Sequence, residues 1–435
     1  MEPFSKAWWG GIATATIVLT AIIAPRTCTV LMLVVLSIAI ADHVFRKGLP
    51  RQPERFMAPF AAIVAFAIWA MMSALWSPAF FHSLFKPVFL ILVVVAVWLA
   101  MRSASTGTKP VVHYVGEGAM IGAAIAYILV GVEILTGQLI TRSLMTAIPA
   151  LHANIPKHVT VSGDGTVLNI TIANLNRRMS ILIWLFWPVM MLAYYDTNRL
   201  RRMFAYGAAA FGISVILLYG SHQSSQVAIL GGIVTFAAAI YMGRKFLLTA
   251  LTGAWIAIVL LAVPIALSVF YADAHKAEWL FRSARHRVVI WGTTAEEVLR
   301  TPILGVGADA TRKAMRIAVK RSAADPSLKR DLGQFKSGYA NHAHNVYLQV
   351  WYELGAIGAL LFLGIGVTAL NAIGRLKPVL QPVTIAMFVT TSLMIAFSYS
   401  MWQTWFISAF GMSAALLAIA IRKRSDNEGP GGSNG

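Results

Sequence analysis

The segment Asn-His-Ala-His-Asn at residues 341–345 carries the residue types best suited to chemistry in this sequence. It lies where a long basic stretch runs into an apolar helix, so His344 stands at a helix start and close to positive charge. The positive end of the helix dipole and nearby arginines disfavour the imidazolium form. A neutral histidine accepts a proton as a general base, and the same surroundings attract an anion. The segment therefore predicts proton transfer beside an anionic lipid substrate.

Two glycines, Gly355 and Gly358, follow on the predicted helix. On a continuous helix from residue 344 both fall on the same face as His344. Small residues let a neighbouring membrane helix approach closely. We therefore expect the glycines to fix this helix against a partner and to hold His344 at the outer mouth of a bundle. The alternative is a packing motif with an incidental interfacial histidine. Asn345 is expected either to cap the helix or to orient a sugar hydroxyl.

A metal site at His342 and His344 is the alternative to a general base in this segment. On a continuing helix the two side chains point about 200° apart, which is a poor arrangement for chelation. Acidic partners at a familiar ligand spacing are absent from the sequence, and the single cysteine, Cys28, excludes a thiolate cluster or an internal disulfide. The sequence also contains no P-loop, GxSxG or dinucleotide fingerprint. We expect neither a metal nor another cofactor.

The elements that position these residues are membrane helices. The chain has 435 residues, of which 58% are hydrophobic and only 12% are charged. Apolar runs of about 20 residues, long enough to cross a bilayer, recur along it. We interpret the first as a retained span and not a signal peptide, and predict an all-α polytopic membrane protein with about twelve spans. The predicted spans are 7–24, 28–45, 57–76, 84–101, 114–135, 179–195, 203–219, 226–242, 247–271, 345–373, 380–400 and 403–421.

The distribution of Lys and Arg predicts the orientation. Alternate connections carry 17 bases on one side, whereas the short connections on the other side carry only Arg26 and Lys86. The base-rich side of a membrane protein is cytoplasmic. Both termini are therefore expected in the cytoplasm, and the long segments 136–178 and 272–344 are expected on the outer side. Nucleic acid is an unsuitable partner for an outer loop.

The predicted organisation has four parts. Residues 1–271 hold nine spans and the outer loop 136–178, residues 272–344 form a large basic loop, residues 345–421 hold three spans, and residues 422–435 form a disordered tail. The large loop has 13 bases and seven acids, and its periodicity predicts one or two helices lying over the membrane. Its charge indicates either contact with anionic membrane lipids or a binding surface for phosphorylated substrates.

Several residues resemble the signature of the O-antigen ligase superfamily. The pattern H-N-x(9)-G-x-x-G is matched from His344 to Gly358. The family's R-x-x-x-W is matched by Arg287 and Trp291, and its P-x-x-G-x-G by residues 302–307. Twelve spans with a large loop before the histidine helix agree with the family architecture. The sharp motifs cover only residues 287–358, and O-antigen ligases, O-antigen polymerases and O-linked oligosaccharyltransferases share them.

The resemblance implies metal-independent glycosyl transfer at the periplasmic face of the bacterial inner membrane, by a fold similar to C-type glycosyltransferases. The donor would be a glycan on undecaprenyl pyrophosphate, and the acceptor a sugar hydroxyl of lipid A–core. His344 would act as the base and Arg287 would hold the pyrophosphate. Arg285 is expected either to bind substrate or to anchor the loop at the interface, and His342 is a further candidate for substrate contact.

One departure from the family pattern leaves the second phosphate-binding arginine open. The family often has a Ser-Arg pair after a middle span, whereas this sequence has Gly-Ser-His-Gln-Ser at residues 220–224. Either Arg177 and Arg178 take this part, or His222 and Gln223 contribute polar contacts. Ligase is the leading interpretation and polymerase or oligosaccharyltransferase the alternative. A transporter of lipid-linked sugars or anions is disfavoured, because no inverted repeat is evident.

Overall fold

The computed structural model describes residues 2–45, 57–106, 109–151, 158–171, 173–324, 332, 334–335 and 338–428. Within these ranges, fifteen α-helices and one short β-hairpin make up most of the regular structure. The helices are α1 (Glu2–Ile23), α2 (Cys28–Phe45), α3 (Met57–Met72), α4 (Phe80–Thr106), α5 (Lys109–Leu135), α6 (Leu139–Ala147), α7 (Ala173–Tyr194), α8 (Arg199–Tyr219), α9 (Gln223–Tyr241), α10 (Arg244–Tyr271), α11 (Arg282–Val298), α12 (Thr311–Ala324), α13 (Val346–Gly374), α14 (Gln381–Ala396) and α15 (Thr404–Glu428). The strands are β1 (Val159–Val161) and β2 (Val167–Ile170).

The chain is an all-α polytopic membrane protein, as the composition predicts. Nine helices in the described part are long and apolar enough to cross a membrane: α3, α4, α5, α8, α9, α10, α13, α14 and α15. Shorter apolar stretches fall in α1 and at the start of α2. The twelve predicted spans coincide with these eleven helices and α7. The total of twelve crossings stays a prediction.

Helix α7 lies in the largest core of the bundle and contacts α5, α8, α9, α14 and α15. Most of its residues after Arg178 are buried, and the ring of Trp184 packs edge-on against Phe406 of α15 at 4.6 Å. Two arginines, Arg177 and Arg178, lie near its start. A helix surrounded by protein does not need the apolar surface that lipid contact requires. Arg177 and Arg178 are thereby placed at one end of the core.

The two ends of the bundle carry different polar groups. At one end, which we call the histidine end, the ring of His222 stacks on Tyr399. Arg177 interacts electrostatically with Tyr399 there, and Arg287 with both His222 and His344. At the opposite end of α7, the carboxylate of Asp196 lies 2.9 Å from Nζ of Lys423. Arg201 contacts the same carboxylate there. The base-rich connections predicted to be cytoplasmic include those at this second end.

The two predicted outer segments are partly folded. The first contains α6 and the hairpin, in which β1 and β2 pair antiparallel with a register shift between Thr160 and Val161. Met145 of α6 and Val167 and Ile170 of β2 form a small core of their own. The second segment contains two helices, α11 and α12, where the sequence predicts one or two. Residues 325–331, 333 and 336–337 of this segment lie outside the described residues.

Helix α13 differs from the continuous helix that the sequence predicts. Its first residue is Val346, and His344 before it has a left-handed backbone with φ 51°. Gly355 interrupts the helix with φ 65° and ψ −165°. The projection that placed His344 and both glycines on one face is therefore wrong, because neither residue 344 nor residue 355 has helical geometry.

Helix ends also differ from prediction in two places. The predicted span 380–400 ends at Ala396, and residues 397–403 form a non-helical segment before α15. The predicted disordered tail is wrong over residues 422–428, because α15 continues to Glu428. Residues 429–435 lie outside the described residues.

Candidate active site

His344 is held in one orientation by the segment after α14. Its Nδ1 lies 3.2 Å from the carbonyl oxygen of Ser398. A carbonyl oxygen only accepts hydrogen bonds, so this contact requires the proton on Nδ1. The lone pair of Nε2 is then available to accept a proton. The strained left-handed backbone at this non-glycine residue is the kind of outlier found at functional sites.

The surroundings of His344 favour its neutral form. Burial lowers its pKa from 6.5 to about 4, and the positive charge of Arg287 contributes to this shift. The hydrogen bond to Ser398 opposes the shift, and His286 adds a smaller lowering effect. The ring is thus unprotonated near pH 7, as a general base requires. An anion bound at Arg287 would raise the pKa of His344 and strengthen it as a base.

His342 lies directly against His344. The two ring centroids are 3.9 Å apart, and the backbone N–H of His344 donates to Nδ1 of His342 at 3.3 Å. The prediction that these side chains point 200° apart is wrong, because residues 342–344 are not helical. Burial lowers the pKa of His342 to about 3. His342 therefore supports the left-handed turn at His344. Among the described residues no group of three or more His, Cys, Asp or Glu side chains is arranged to hold a metal.

Arg287 lies on α11, half-buried, and is close enough for its positive charge to lower the pKa of both His344 and His222. Within the described part of the chain no carboxylate lies at ion-pair distance from it. Burial lowers the pKa of Arg287, but an arginine remains charged. A half-buried cation without an anionic partner is suited to binding an anionic ligand.

The spacing of Arg287 and Trp291 has a structural cause. Trp291 lies four residues later on α11, on the same face. Its indole N–H donates to the carbonyl oxygen of Ala343 at 3.0 Å. The tryptophan thus fixes the histidine segment against α11 and brings Arg287 into reach of His344.

The glycine motifs act together at the kink of α13. The loop 302–307 lies against the kink. The backbone N–H groups of Val306 and Gly307 donate to the backbone carbonyl oxygens of Tyr352 and Glu353, at 3.0 and 2.7 Å. A Cβ on Gly355 would lie 2.1 Å from the carbonyl oxygen of Ile303. Close contact between two backbones excludes a side chain there. The predicted role of Gly355 in close packing is thus fulfilled by a loop and not by a neighbouring helix.

His222 and Gln223 stand at the start of α9, where the family's Ser-Arg pair is missing. The buried ring of His222 stacks on Tyr399 at 5.7 Å, and its Nδ1 lies 2.7 Å from Oγ of Ser225. Burial, with a contribution from Arg287, lowers its pKa to about 4. Oε1 of Gln223 accepts from Ser283 of α11 at 3.2 Å. His222 therefore faces the site, and Gln223 joins α9 to α11.

Arg177 and Arg178 differ in their contacts. Arg178 lies 3.7 Å from the carboxylate of Glu133 and donates to Thr141, so its charge is balanced in a buried pair. The guanidinium of Arg177 instead lies over the ring of Trp405 at 5.8 Å and faces Tyr399. Arg177 is therefore the member of the pair that is oriented toward the site.

The remaining predicted residues have structural contacts. Asn345 caps α13, because its Oδ1 accepts from the N–H of Leu348 at 3.1 Å. Arg285 lies 3.3 Å from the side-chain oxygen of Gln334, in the amide orientation that satisfies both groups. Its neighbour His286 stacks on Phe335 of the same returning loop.

Two contributions to the site escape the sequence analysis. Residues 397–400 supply the carbonyl that orients His344 and the ring of Tyr399, whose pKa burial raises to about 12. The sequence feature that could have indicated these residues is the polar stretch Ser-Tyr-Ser at residues 398–400, inside the predicted span 380–400. Glu353, fully buried in α13, accepts from Gln349 and from the backbone N–H of Asp309 at 3.0 Å each. An acidic residue within an apolar helix was the signal there.

Comparison with known proteins agrees with the motifs. Residues 208–363 match the family model described as O-antigen ligase. This region contains α9 to α12, the loop 302–307, the histidine segment and the kinked part of α13.

Curated relatives named "Putative polysaccharide ligase" match parts of the chain. The Rickettsia conorii protein is 33% identical over 141 residues, which are 32% of this chain and 33% of the relative. The Rickettsia felis protein is 29% identical over the same length, with the same coverage. The Rickettsia bellii protein is 24% identical over 260 residues, which are 58% of this chain and 60% of the relative. The chain thus matches about one third of the length of the first two relatives.

Proposed function

We propose, from the membership of the O-antigen ligase superfamily that these matches support, that the chain transfers a glycan from undecaprenyl pyrophosphate to a sugar hydroxyl of lipid A–core. The observation that carries this proposal is the pairing of His344, whose Nδ1 contact leaves Nε2 open as a base, with Arg287, a cation that has no ion pair among the described residues. One group removes a proton and the other receives an anion. Glycosyl transfer from a lipid pyrophosphate requires both.

In the proposed mechanism, Nε2 of His344 takes the proton of the acceptor hydroxyl as its oxygen attacks the anomeric carbon of the donor. The new glycosidic bond forms while the bond between the anomeric carbon and the phosphate oxygen breaks. Undecaprenyl pyrophosphate leaves with the electron pair of that bond. A positioned base contributes roughly 10²–10⁴ in rate.

The charge that grows on the leaving pyrophosphate is stabilised by arginines in this proposal. Arg287 is the first of them, because its fork of donors suits paired phosphate oxygens. Arg177 is the second, since its guanidinium rests on Trp405 at the same end of the bundle. Arg178 is assigned a structural part, because it is already paired with Glu133. In this scheme the cations do the work of a metal ion, and the enzyme needs none.

We place the reaction at the periplasmic face of the inner membrane, with both termini in the cytoplasm. Two observations support this orientation. The candidate site lies at one end of α7, and the bases Arg201 and Lys423 lie at the other. Base-rich connections are retained in the cytoplasm, which puts the histidine end outside.

A reconstituted assay tests the proposed function. Purified protein in nanodiscs receives an undecaprenyl-pyrophosphate glycan with or without lipid A–core. We expect a product that contains both glycan and lipid A–core, and only when the acceptor is present. Longer glycans formed without lipid A–core would instead identify a polymerase. If neither product forms, both the ligase and the polymerase assignments are refuted.

A further inference from the structure

Helix α12 presents three basic side chains along one exposed face. Arg312, Arg316 and Lys320 follow at four-residue spacing, which places them side by side on a helix. They line one wall of a groove of about 300 Å³, and residues 339–341 line the other. The lining also includes the apolar side chains Met315 and Val319 and the ring of Tyr339.

The other basic residues of α12 already have partners. Arg321 binds the carboxylate of Glu297 on α11, and Nζ of Lys313 donates to the carbonyl oxygen of Pro78 at 3.3 Å. In contrast, no carboxylate of the described residues lies at ion-pair distance from the three that line the groove. Like charges at this spacing destabilise a helix. An anionic ligand would relieve that repulsion.

The contacts along α11 place the groove and Arg287 toward opposite ends of that helix. Arg287 and Glu297 are ten residues apart on α11, which corresponds to about 15 Å along the helix axis. Arg321 ties α12 to Glu297, so the groove is at that end of α11. Trp291, between the two, holds the carbonyl of Ala343. Asn341 lines the groove and directly precedes His342 in the chain. An anion bound in the groove would thus lie at the end of α11 away from an anion bound at Arg287, with the histidine segment between them.

We infer that this groove binds the acceptor, through phosphate groups on its oligosaccharide. The inference rests on the proposed function, which puts the donor pyrophosphate at Arg287 and requires an acceptor hydroxyl at His344. Arginine and lysine together suit phosphate, and a lining that mixes apolar side chains with a few polar groups suits a sugar ring. A concave groove favours a discrete oligosaccharide over the flat surface of a bilayer.

The test is acceptor kinetics of the triple variant Arg312→Gln, Arg316→Gln, Lys320→Gln in nanodiscs of phosphatidylcholine. We expect the KM for phosphorylated lipid A–core to rise at least tenfold, while kcat and the KM for the donor stay within twofold. The matched control is Lys276→Gln, Arg282→Gln, Arg300→Gln, which removes the same charge from the same loop outside the groove. Its acceptor KM should equal that of the wild type.

A second arm uses lipid A–core from which phosphate has been removed. Dephosphorylation should raise the KM of the wild type to the level of the triple variant and leave the variant unchanged. An unaltered acceptor KM in the triple variant would overturn the inference. So would a dependence on added phosphatidylglycerol but not on acceptor phosphate, which would identify a face that rests on lipid.

Failure of the proposed function is separable from failure of this inference. If the wild type transfers no glycan to lipid A–core, direct binding of the phosphorylated core oligosaccharide replaces kinetics. Binding that the triple variant loses and the control retains would support the groove even then. Equal binding by the wild type and the triple variant would reject it. Thermal melting of each variant verifies that it is folded.

Discussion

The backbone at His344 determines which nitrogen of its ring can act. The left-handed turn directs Nδ1 to the carbonyl of Ser398, so Nε2 is the atom open to the acceptor. His342 secures this turn by accepting the N–H of His344. The two histidines of the motif therefore have different parts in our proposal. His344 exchanges the proton, and His342 fixes the geometry in which it does so.

Activity should fall at acid pH with the protonation of His344. Its lowered pKa keeps the ring neutral above about pH 4, so kcat/KM should be level from pH 5 to 8 and should decline as pH falls through about 4. The pH dependence of kcat/KM reports groups in the free enzyme. A decline centred near 6.5, the ordinary value for histidine, would contradict this environment. The His342→Gln variant should keep the same pH profile of kcat/KM, because the ring of His342 exchanges no proton in the proposed mechanism.

Arg287→Lys should lose activity although it keeps the charge. A lysine cannot offer two parallel donors to a phosphate. We expect kcat to fall by about 10²-fold, the scale for losing a transition-state donor. The control is Arg282→Lys, an exposed arginine in the first turn of the same helix. Wild-type turnover in Arg287→Lys would mean that this residue only faces the lipid or the loop.

At the scale of elements, the kink of α13 and the loop 302–307 form one structural unit. The loop supplies backbone hydrogen bonds to residues 352 and 353, and Ala356 donates back to Pro302 at 2.8 Å. The same loop leads into α12, whose first residue, Thr311, donates to Glu353. The kink of α13 is thus connected through this loop to α12.

Gly355→Ala should unfold this unit locally and abolish transfer. Alanine is strained at φ 65°, and its Cβ would meet the backbone of Ile303. We expect destabilisation of roughly 1–3 kcal/mol from the backbone alone. Gly364→Ala in the same helix is the matched control, because a Cβ there meets nothing within 4 Å. It should keep full activity and a melting temperature at or above that of the wild type. A wild-type melting temperature in Gly355→Ala would contradict the claim that the kink and the loop 302–307 form one structural unit.

Sequence periodicity predicts the helices well and their interruptions poorly. The apolar runs predict the positions of α3 to α5 and α8 to α10, because lipid contact imposes composition over about 20 residues. The left-handed residue 344, the break at residue 355 and the segment 397–400 depend on tertiary contacts. The periodicity of apolar residues in the sequence does not report such contacts. The motif residues Arg287, Trp291 and His344 were predicted to belong together, whereas the contacts of Ser398 and Tyr399 were not.

At the scale of the whole molecule, the proposal depends on the orientation of the bundle. The histidine end must face the compartment that contains lipid-linked glycan and lipid A–core. The asymmetry of Lys and Arg predicts the outer side for it.

Cysteine labelling measures this orientation directly. In a Cys28→Ala background, Gly163→Cys at the hairpin and Thr197→Cys between α7 and α8 both place a thiol on exposed residues. A membrane-impermeant maleimide should label residue 163 in cells with a permeabilised outer membrane. Residue 197 should react only after the inner membrane is opened. The reverse pattern would place the site in the cytoplasm and exclude the proposed donor and acceptor.

The measurement that tests the central claim most directly is single-turnover transfer by His344→Gln with bound donor. We predict a rate reduced by about 10²–10⁴-fold, the contribution of one positioned base, with donor affinity within twofold of wild type. His158→Gln, which changes an exposed histidine next to strand β1, should react at the wild-type rate. A rate for His344→Gln within a few-fold of wild type would contradict the account, because the proton would then leave by another route.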